Sequence, residues 1–188
     1  MEKSSFGKEN ANLEQNVEIV NEFSEDSLAA ILDLEKKCFP ADWQYEDADD
    51  YYRKMLNDKE NINIFLKQNA AIVGYALAKP LNNALSDLMK YDPEIQSIDN
   101  NLYIETIQVL DQFRGKGGAK KILLEICNEA LKRGIVDFSI HARKSNGLNL
   151  KLRKIFDGMI TKHRQIESWE PGGGEPYEYM EWSYKKNN

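Results

Sequence analysis

The densest group of residues able to do chemistry runs from Arg114 to Lys121. This stretch, RGKGGAKK, holds three glycines and four cationic side chains in eight positions. It follows an apolar strand pattern and precedes a helical one, so the glycines stand where a helix must begin. Glycine raises the entropy cost of ordering such a turn, and a bound ligand or a tight bend must offset that cost. The unpartnered N–H groups of a helix N-terminus, with cations around them, suit a polyanion such as a pyrophosphate.

Two known phosphate-binding patterns do not fit this loop. A Walker loop requires Ser or Thr after its Gly-Lys pair, but Lys116 is followed by Gly117. The dinucleotide pattern G-x-G-x-x-G requires a glycine where this chain has Lys120. A tight turn without a ligand remains the alternative, although such a turn would not need the charges.

Composition narrows the class of partner. The chain has 188 residues and a net charge of -6, which argues against general affinity for nucleic acid or an anionic membrane. No apolar run approaches the roughly 18 residues of a bilayer span and no secretory leader pattern is visible, so we expect a cytoplasmic protein. Cys38 and Cys127 lack metal-ligand spacing; we expect reduced, buried thiols and no metal site.

Hydrophobic periodicity predicts the order of the elements. We expect a polar tail over residues 1–15 and a single domain over 16–186. The predicted strands are 16–23, a pair within 62–79 that turns at Gln68–Ala70, 101–110, 136–142, 159–169 and 177–185. The predicted helices are 24–39, 45–56, 119–134 and 146–156. Residues 80–100 form a polar insertion with some helical character. This order of hairpins and crossover helices predicts a mixed α/β (α+β) fold.

The loop also fits a more specific pattern. Gln112 to Gly117, QFRGKG, match Q/R-x-x-G-x-G/A, and this loop resembles the coenzyme A pyrophosphate loop of the GNAT superfamily of N-acetyltransferases. Asn146 follows the next strand, as that family's cofactor-contacting Asn does. The segments FPADW and EPYEYMEW resemble acceptor-side elements of its N-terminal and peptide-acetylating members. The resemblance covers residues 17–185.

The resemblance implies a fold and a cosubstrate. The fold would be a mostly antiparallel sheet of six or seven strands with about four helices, splayed between the two central parallel strands. Acetyl-CoA would place its pantetheine arm against the backbone of Ile107, Gln108 and Val109 in that opening. The residues implied to hold the rest of the cofactor are Arg114, Gly115, Lys116, Gly117, Gly118, Ala119, Lys120 and Asn146.

Two residues are candidates for the base that acetyl transfer to an amine needs at neutral pH, because a lysine-like amine has a pKa of roughly 10. Glu105 interrupts an apolar strand on the face of Ile107 and Val109 and would act through water. Its alternative is a structural Glu paired with Lys or Arg. His141 lies near the place of a catalytic residue in the N-terminal acetyltransferases, and its alternative is a satisfied core histidine. A main-chain N–H at or beside Val109 would hold the oxyanion.

The sequence departs from the family at the acid that protonates the leaving thiolate. Many members carry a Tyr seven residues after the Asn, where this chain has Arg153. Arg153 would then stabilise the thiolate by its charge, or Tyr177 or Tyr179 would reach the sulfur.

The acceptor is an amine of a small molecule, protein or peptide. Acidic and aromatic residues near the two acceptor-side segments would form its lip: Glu46, Asp47, Asp49, Asp50, Tyr51, Tyr52, Glu167, Trp169 and Glu170. The alternative for the acids is a solvated first helical turn. We expect an N-acetyltransferase, monomeric or homodimeric, without nucleic-acid or membrane partners. A non-catalytic acyl-CoA-binding or sensing module is the second hypothesis.

Overall fold

Seven strands form one sheet in the order β1-β2-β3-β4-β5-β7-β6. The computed structural model of the protein describes residues 14–41, 44 and 46–185. The strands are β1 (Gln15–Ile19), β2 (Ile62–Gln68), β3 (Ala71–Pro80), β4 (Asn101–Val109), β5 (Asp137–Arg143), β6 (Ile160–Trp169) and β7 (Glu175–Ser183). Every neighbouring pair is antiparallel except β4 and β5, which are parallel. The predicted mixed sheet and its parallel pair are confirmed.

Five α-helices connect these strands in the described ranges. They are α1 (Glu25–Cys38), α2 (Ala48–Asn57), α3 (Leu81–Leu88), α4 (Gly118–Lys132) and α5 (Leu148–Ile155). The Ser24 side chain caps α1 by accepting from the Ser27 N–H. The helix that was not among the four predicted is α3. It begins the polar insertion over residues 80–100, for which the sequence indicated some helical character.

Alternation along the central strands sends side chains to two apolar layers. On one face, Ile64 and Leu66 of β2 join the cluster that contains α4 and α5 residues such as Ile126 and Leu152. On the other face, Phe65 joins the cluster formed with α1 and α2. A third cluster, around α3, contains Tyr103, Trp169 and Tyr179. Apolar clusters therefore pack against both faces of the sheet, in which β4 and β5 are inner strands.

The two parallel strands separate halfway along their length. Pairing of β4 with β5 runs from Asn101↔Asp137 to Ile104↔Ile140. Beyond that point β4 continues beside β3 as far as Val109, and β5 continues beside β7 as far as Arg143. The register between β3 and β4 shifts between Leu77 and Ala78, which leaves Glu105 as the extra residue of a bulge. The predicted splay is therefore present, and the bulge lies at its base.

Several boundary predictions need correction. Residues 1–13 of the expected tail lie outside the described residues, but Gln15 already pairs with Gln68 in the sheet and is buried. Burial on both faces of β4 holds for its first half only, because the second half borders the splay. Cys127 is a buried free thiol, as predicted, whereas Cys38 is only partly buried. None of the helices in the described part of the chain has the length and apolar character of a bilayer span.

Candidate active site

A cleft of about 640 Å³ opens where β4 and β5 separate. The strands contribute Tyr103, Glu105, Thr106, Ile107, Gln108, Ile140, His141 and Arg143 to its lining. Tyr51 and Tyr52 of α2 line one side, and Trp169 and Tyr177 line another. Arg114 extends the lining towards the glycine loop. The cleft thus runs from the open strand edges to Arg114, and the residues from Gly115 to Lys120 are not among its described lining.

The start of α4 has the features of an anion site. Gly115 and Gly117 have φ angles of +79° and +84°, a region that L side chains rarely adopt. A Cβ on either glycine would meet no atom within 4 Å, so close packing does not explain them. The first helical hydrogen bond runs from the Lys121 N–H to the Gly117 carbonyl. In the described chain no side chain caps this end, and its first turn holds no acidic residue.

Gly118 is a glycine for a different reason. A Cβ there would lie 2.5 Å from Leu66 Cδ2 and 3.0 Å from Gln15 Oε1. The residue is buried where α4 crosses β1 and β2. Packing of the helix on the sheet therefore requires this glycine, and a ligand need not contact its side-chain position.

The four cations of the loop divide into two pairs. Arg114 donates from Nε to the Val109 carbonyl at 2.8 Å and pairs with Asp111 at 2.7 Å. Lys121 donates to the Gln15 carbonyl at 2.6 Å. These two brace the loop, whereas Lys116 and Lys120 extend into solvent beside the helix start. The exposed pair supplies positive charge where the first N–H groups of α4 point.

Glu105 lies in the cleft with two partners on its carboxylate. Oε1 accepts a hydrogen bond of 2.9 Å from the Tyr51 hydroxyl. Oε2 lies 2.8 Å from Lys79 Nζ, and the two side chains are only 17% and 12% exposed. The bulge of β4 turns this carboxylate towards the opening. The structure thus supplies the ion pair of the alternative interpretation together with the cleft position of a base.

His141 is buried beneath the cleft floor with both ring nitrogens partnered. Nε2 lies 2.9 Å from Asp92 Oδ2, and Nδ1 lies 3.0 Å from the Tyr103 hydroxyl. The ring stacks on Trp169 at 4.2 Å between centroids. Burial lowers the pKa of His141, although the Asp92 carboxylate opposes this effect. The surroundings are those of a satisfied core histidine that still borders the cleft.

Comparison with known families identifies the fold. The sequence model of the acetyltransferase (GNAT) family matches residues 28–152, which is more than half of the 188 residues. This chain belongs to the GNAT acetyltransferase family. A search of curated proteins found no significant match.

Solved acetyltransferases share the fold across nearly the whole chain. The ribosomal-protein-S18-alanine N-acetyltransferase of Escherichia coli superposes with a TM-score of 0.62 at 16% identity, over 93% of this chain and 97% of that one. PaiA N-acetyltransferase of Thermoplasma acidophilum, solved with coenzyme A, gives 0.62 at 13%, over 90% and 99%. NAA60 of Arabidopsis thaliana, solved with acetyl-CoA, gives 0.61 at 16%, over 93% and 100%. Because the sequence identities are only 13–16%, these superpositions show that the fold is shared and no more.

Within this acetyltransferase, the other predicted cofactor contacts occupy distinct positions. Ile107 and Gln108 line the cleft, and so does Asn146, whose Oδ1 accepts from the Leu148 N–H and stabilises the start of α5. Val109 is buried and is not among the described lining residues. Its side chain packs in the core, which leaves its backbone as the group to consider.

Arg153 does not lie where its proposed role at the sulfur requires. It pairs with Glu178 and contacts His163 Nδ1 at 3.0 Å, and it is not among the described residues of the cleft lining. Tyr179 is buried, and burial raises its pKa well above the usual value. Tyr177 lines the cleft and accepts a hydrogen bond of 3.2 Å from Arg143 Nε. Tyr177 is therefore the better placed acid.

The predicted aromatic residues of the lip line the cleft, but the predicted acids do not. Tyr51, Tyr52 and Trp169 line the cleft, as predicted. The acids expected beside them, Glu46, Asp47, Asp49, Asp50, Glu167 and Glu170, are absent from the described lining. Asp49 instead pairs with Arg53 in the first turns of α2. The alternative of a solvated helical turn accounts for the acids of α2.

Sequence reasoning missed three further residues of this site. Lys79 and Tyr103 reach the cleft from β3 and β4, and Asp92 reaches His141 from the segment after α3. Alternation placed Lys79 and Tyr103 on strands, but no spacing connected them to Glu105 or His141. Asp92 stood in the polar insertion, where a buried acid has no local signal.

Proposed function

We propose that this acetyltransferase moves the acetyl group of acetyl-CoA to a primary amine by direct attack in a ternary complex. The observation that carries the proposal is the splayed β4–β5 opening, whose cleft lining reaches Arg114, four residues before the uncapped start of α4. The opening leaves backbone of Ile107 and Gln108 beside the cleft, and the helix start supplies N–H groups for phosphate. The solved complexes of PaiA with coenzyme A and of NAA60 with acetyl-CoA support this choice of cosubstrate.

The reaction needs an acceptor for one proton of the amine. The amine nitrogen attacks the thioester carbonyl, the C–S bond breaks and coenzyme A leaves as a thiolate. Glu105 receives the proton through water in this proposal, since its carboxylate borders the cleft beside Tyr51 and Lys79. In this proposal Tyr177, which lines the cleft, gives a proton to the thiolate. Glu105 then releases the amine proton to solvent, from which Tyr177 regains one. The acceptor is a peptide N-terminus, a lysine or a small amine.

A non-catalytic acyl-CoA-binding or sensing module is the second candidate. The observation that favours it is the pairing of both predicted bases, Glu105 with Lys79 and His141 with Asp92. Both candidates require binding at the glycine loop, and only the first requires release of free thiol. One assay therefore separates them.

The decisive experiment is an acceptor screen with acetyl-CoA that follows free thiol. Peptides with a free N-terminus, N-blocked peptides with an internal lysine, and small amines form the three arms. Thiol release with one arm, and a matching mass increase of the acceptor, would establish transfer. Binding of acetyl-CoA without thiol release in any arm would favour the sensing module.

Gly117→Glu tests the cofactor site itself. It places bulk and negative charge at the start of α4, so acetyl-CoA binding measured by calorimetry should be abolished. Gly134→Glu is the matched control, because Gly134 also has a φ of +79° and a Cβ there would meet no atom within 4 Å, but it lies at the other end of α4. Both changes carry a similar backbone strain of about 1–2 kcal/mol. Unchanged affinity in Gly117→Glu would refute both candidate functions.

A further inference from the structure

A chain of three buried polar side chains lies under the cleft floor. Asp92 contacts His141 Nε2 at 2.9 Å, and His141 Nδ1 contacts the Tyr103 hydroxyl at 3.0 Å. The three residues come from the segment after α3, from β5 and from β4. Tyr103 and His141 border the cleft, whereas Asp92 stands behind them. The chain connects the core to the surface that an acceptor would meet.

Asp92 is fixed in position by groups outside the cleft. Its Oδ1 accepts from the Glu94 N–H at 3.3 Å, and its Oδ2 accepts from both His141 and Arg164 of β6. Ile95, three residues later, is buried in the cluster around α3 and anchors the segment. The stack of Trp169 on the His141 ring holds the plane of the imidazole. The geometry of the chain is therefore set before any ligand arrives.

The protonation of the chain follows from its charges. Burial would raise the pKa of Asp92, but the hydrogen bonds from His141 and Arg164 outweigh it and lower the pKa. Burial lowers the pKa of His141, Asp92 and Glu105 oppose this, and Arg164 adds to it. Tyr103 and Tyr179 are the remaining titratable side chains against the ring. At neutral pH, Asp92 is an anion and His141 is neutral.

Only one arrangement of hydrogens satisfies these partners. An ionised carboxylate only accepts hydrogen bonds, so the single N–H of the neutral imidazole must be on Nε2. Nδ1 is then an acceptor, and the Tyr103 hydroxyl must donate its hydrogen to it. Tyr103 lines the cleft, and with its hydrogen committed to Nδ1 its oxygen can meet a cleft ligand only as an acceptor.

We propose that Asp92 is a positioning residue for the acceptor amine: by fixing the tautomer of His141 it fixes the Tyr103 oxygen as an acceptor for an amine N–H. This inference rests on the proposed acetyl transfer. An amine held by one N–H at Tyr103 keeps its lone pair for the thioester carbonyl. A reversed hydroxyl would instead donate to that lone pair and oppose attack.

The tautomer is directly measurable, because His141 and His163 are the two histidines of the chain. Long-range ¹H–¹⁵N spectra of the full-length protein at pH 7.5 should show His141 protonated on Nε2. Asp92→Ala should move the hydrogen to Nδ1, since Nε2 loses its acceptor and the Tyr103 oxygen can still accept from Nδ1. Tyr103→Phe, the matched control, should keep the Nε2–H form. A wild-type Nδ1–H or imidazolium form would overturn the proposal, and so would an unchanged tautomer in Asp92→Ala.

Kinetics test the use of the chain in catalysis. With an acceptor from the screen, Asp92→Ala should lower kcat about 10–100-fold, as loss of an orienting partner does, and leave KM for acetyl-CoA within about twofold. Tyr103→Phe should lower kcat by a similar factor. The kcat of the double variant should be no lower than that of the less active single variant, because both changes act through one hydroxyl.

Losses that multiply in the double variant would show that Asp92 does not act through Tyr103. Failure of every amine in the screen would overturn the proposed function and the catalytic use of this chain together. The tautomer is judged by the spectrum of the wild-type protein, whether or not Asp92→Ala folds.

Discussion

Replacement of Glu105 by Gln separates a base from a structural ion-pair partner. The change removes a proton acceptor and also leaves the ammonium group of Lys79 without its carboxylate at 2.8 Å. Loss of a general base lowers turnover by about 100-fold or more, which corresponds to about 2.7 kcal/mol of barrier. Removal of one partner from a fully buried pair costs about 3–5 kcal/mol of stability. With exposures of 12% and 17%, we expect a cost near or below the lower end of that range.

A double variant distinguishes the two contributions. Lys79→Met together with Glu105→Gln removes the unpaired charge, so most of the lost stability should return in urea unfolding. Turnover, followed by thiol release as kcat/KM, should stay about 100-fold low, because no base is restored. Tyr51→Phe is the matched control that removes the hydrogen bond to Oε1 and keeps the Glu105 carboxylate, and it should lower turnover far less than Glu105→Gln does. Recovery of turnover to within about threefold of wild type in the double variant would refute a catalytic Glu105.

Three other predictions concern pH, packing and the acid. The pKa of His141 lies below its ordinary 6.5 in the folded protein, so the unfolded chain binds the proton more readily; the stability present above pH 6.5 should fall with acidification by up to about 1.4 kcal/mol per pH unit. His141→Gln should flatten this slope in urea titrations, and an unchanged slope would show that another group is its source. Gly118→Ala should cost about 1–3 kcal/mol by overpacking, and a loss under about 0.5 kcal/mol in urea would show that α4 shifts freely. Tyr177→Phe should lower kcat of thiol release, whereas Arg153→Ala should leave kcat within about twofold; the opposite pattern would favour stabilisation of the thiolate by the charge of Arg153.

Local sequence was sufficient to predict most of the elements and to suggest a cofactor loop. Alternation along β2 and β3 and helical spacing in α4 predicted elements that the structure confirms within a few residues. Glycines at 115 and 117, followed by a helix without an acidic first turn, predict an anion site, because these properties depend on neighbouring residues in the chain. The order of elements also implied the parallel pair, since a crossover helix joins β4 to β5.

The partners of the catalytic candidates depended on the tertiary structure. Glu105 alone was compatible with a base or with an ion pair, and only the pairing of β3 with β4 brought Lys79 next to it. Arg153 matched a family position by count, but the packing of α5 on β7 directed it to Glu178 and away from the cleft. A count along the chain gives position in a helix and does not give the direction of the side chain relative to a distant cleft.

Asp92 and His141 show the same limit most clearly. They lie 49 residues apart in sequence and 2.9 Å apart in space. The sequence predicts a polar insertion over residues 80–100, because a buried carboxylate and a solvated one have the same sequence signature. The burial of Asp92 and its contact with the imidazole arise only when β5, β6 and the segment after α3 pack together. Desolvation is a property of the assembled core and not of any local stretch of chain.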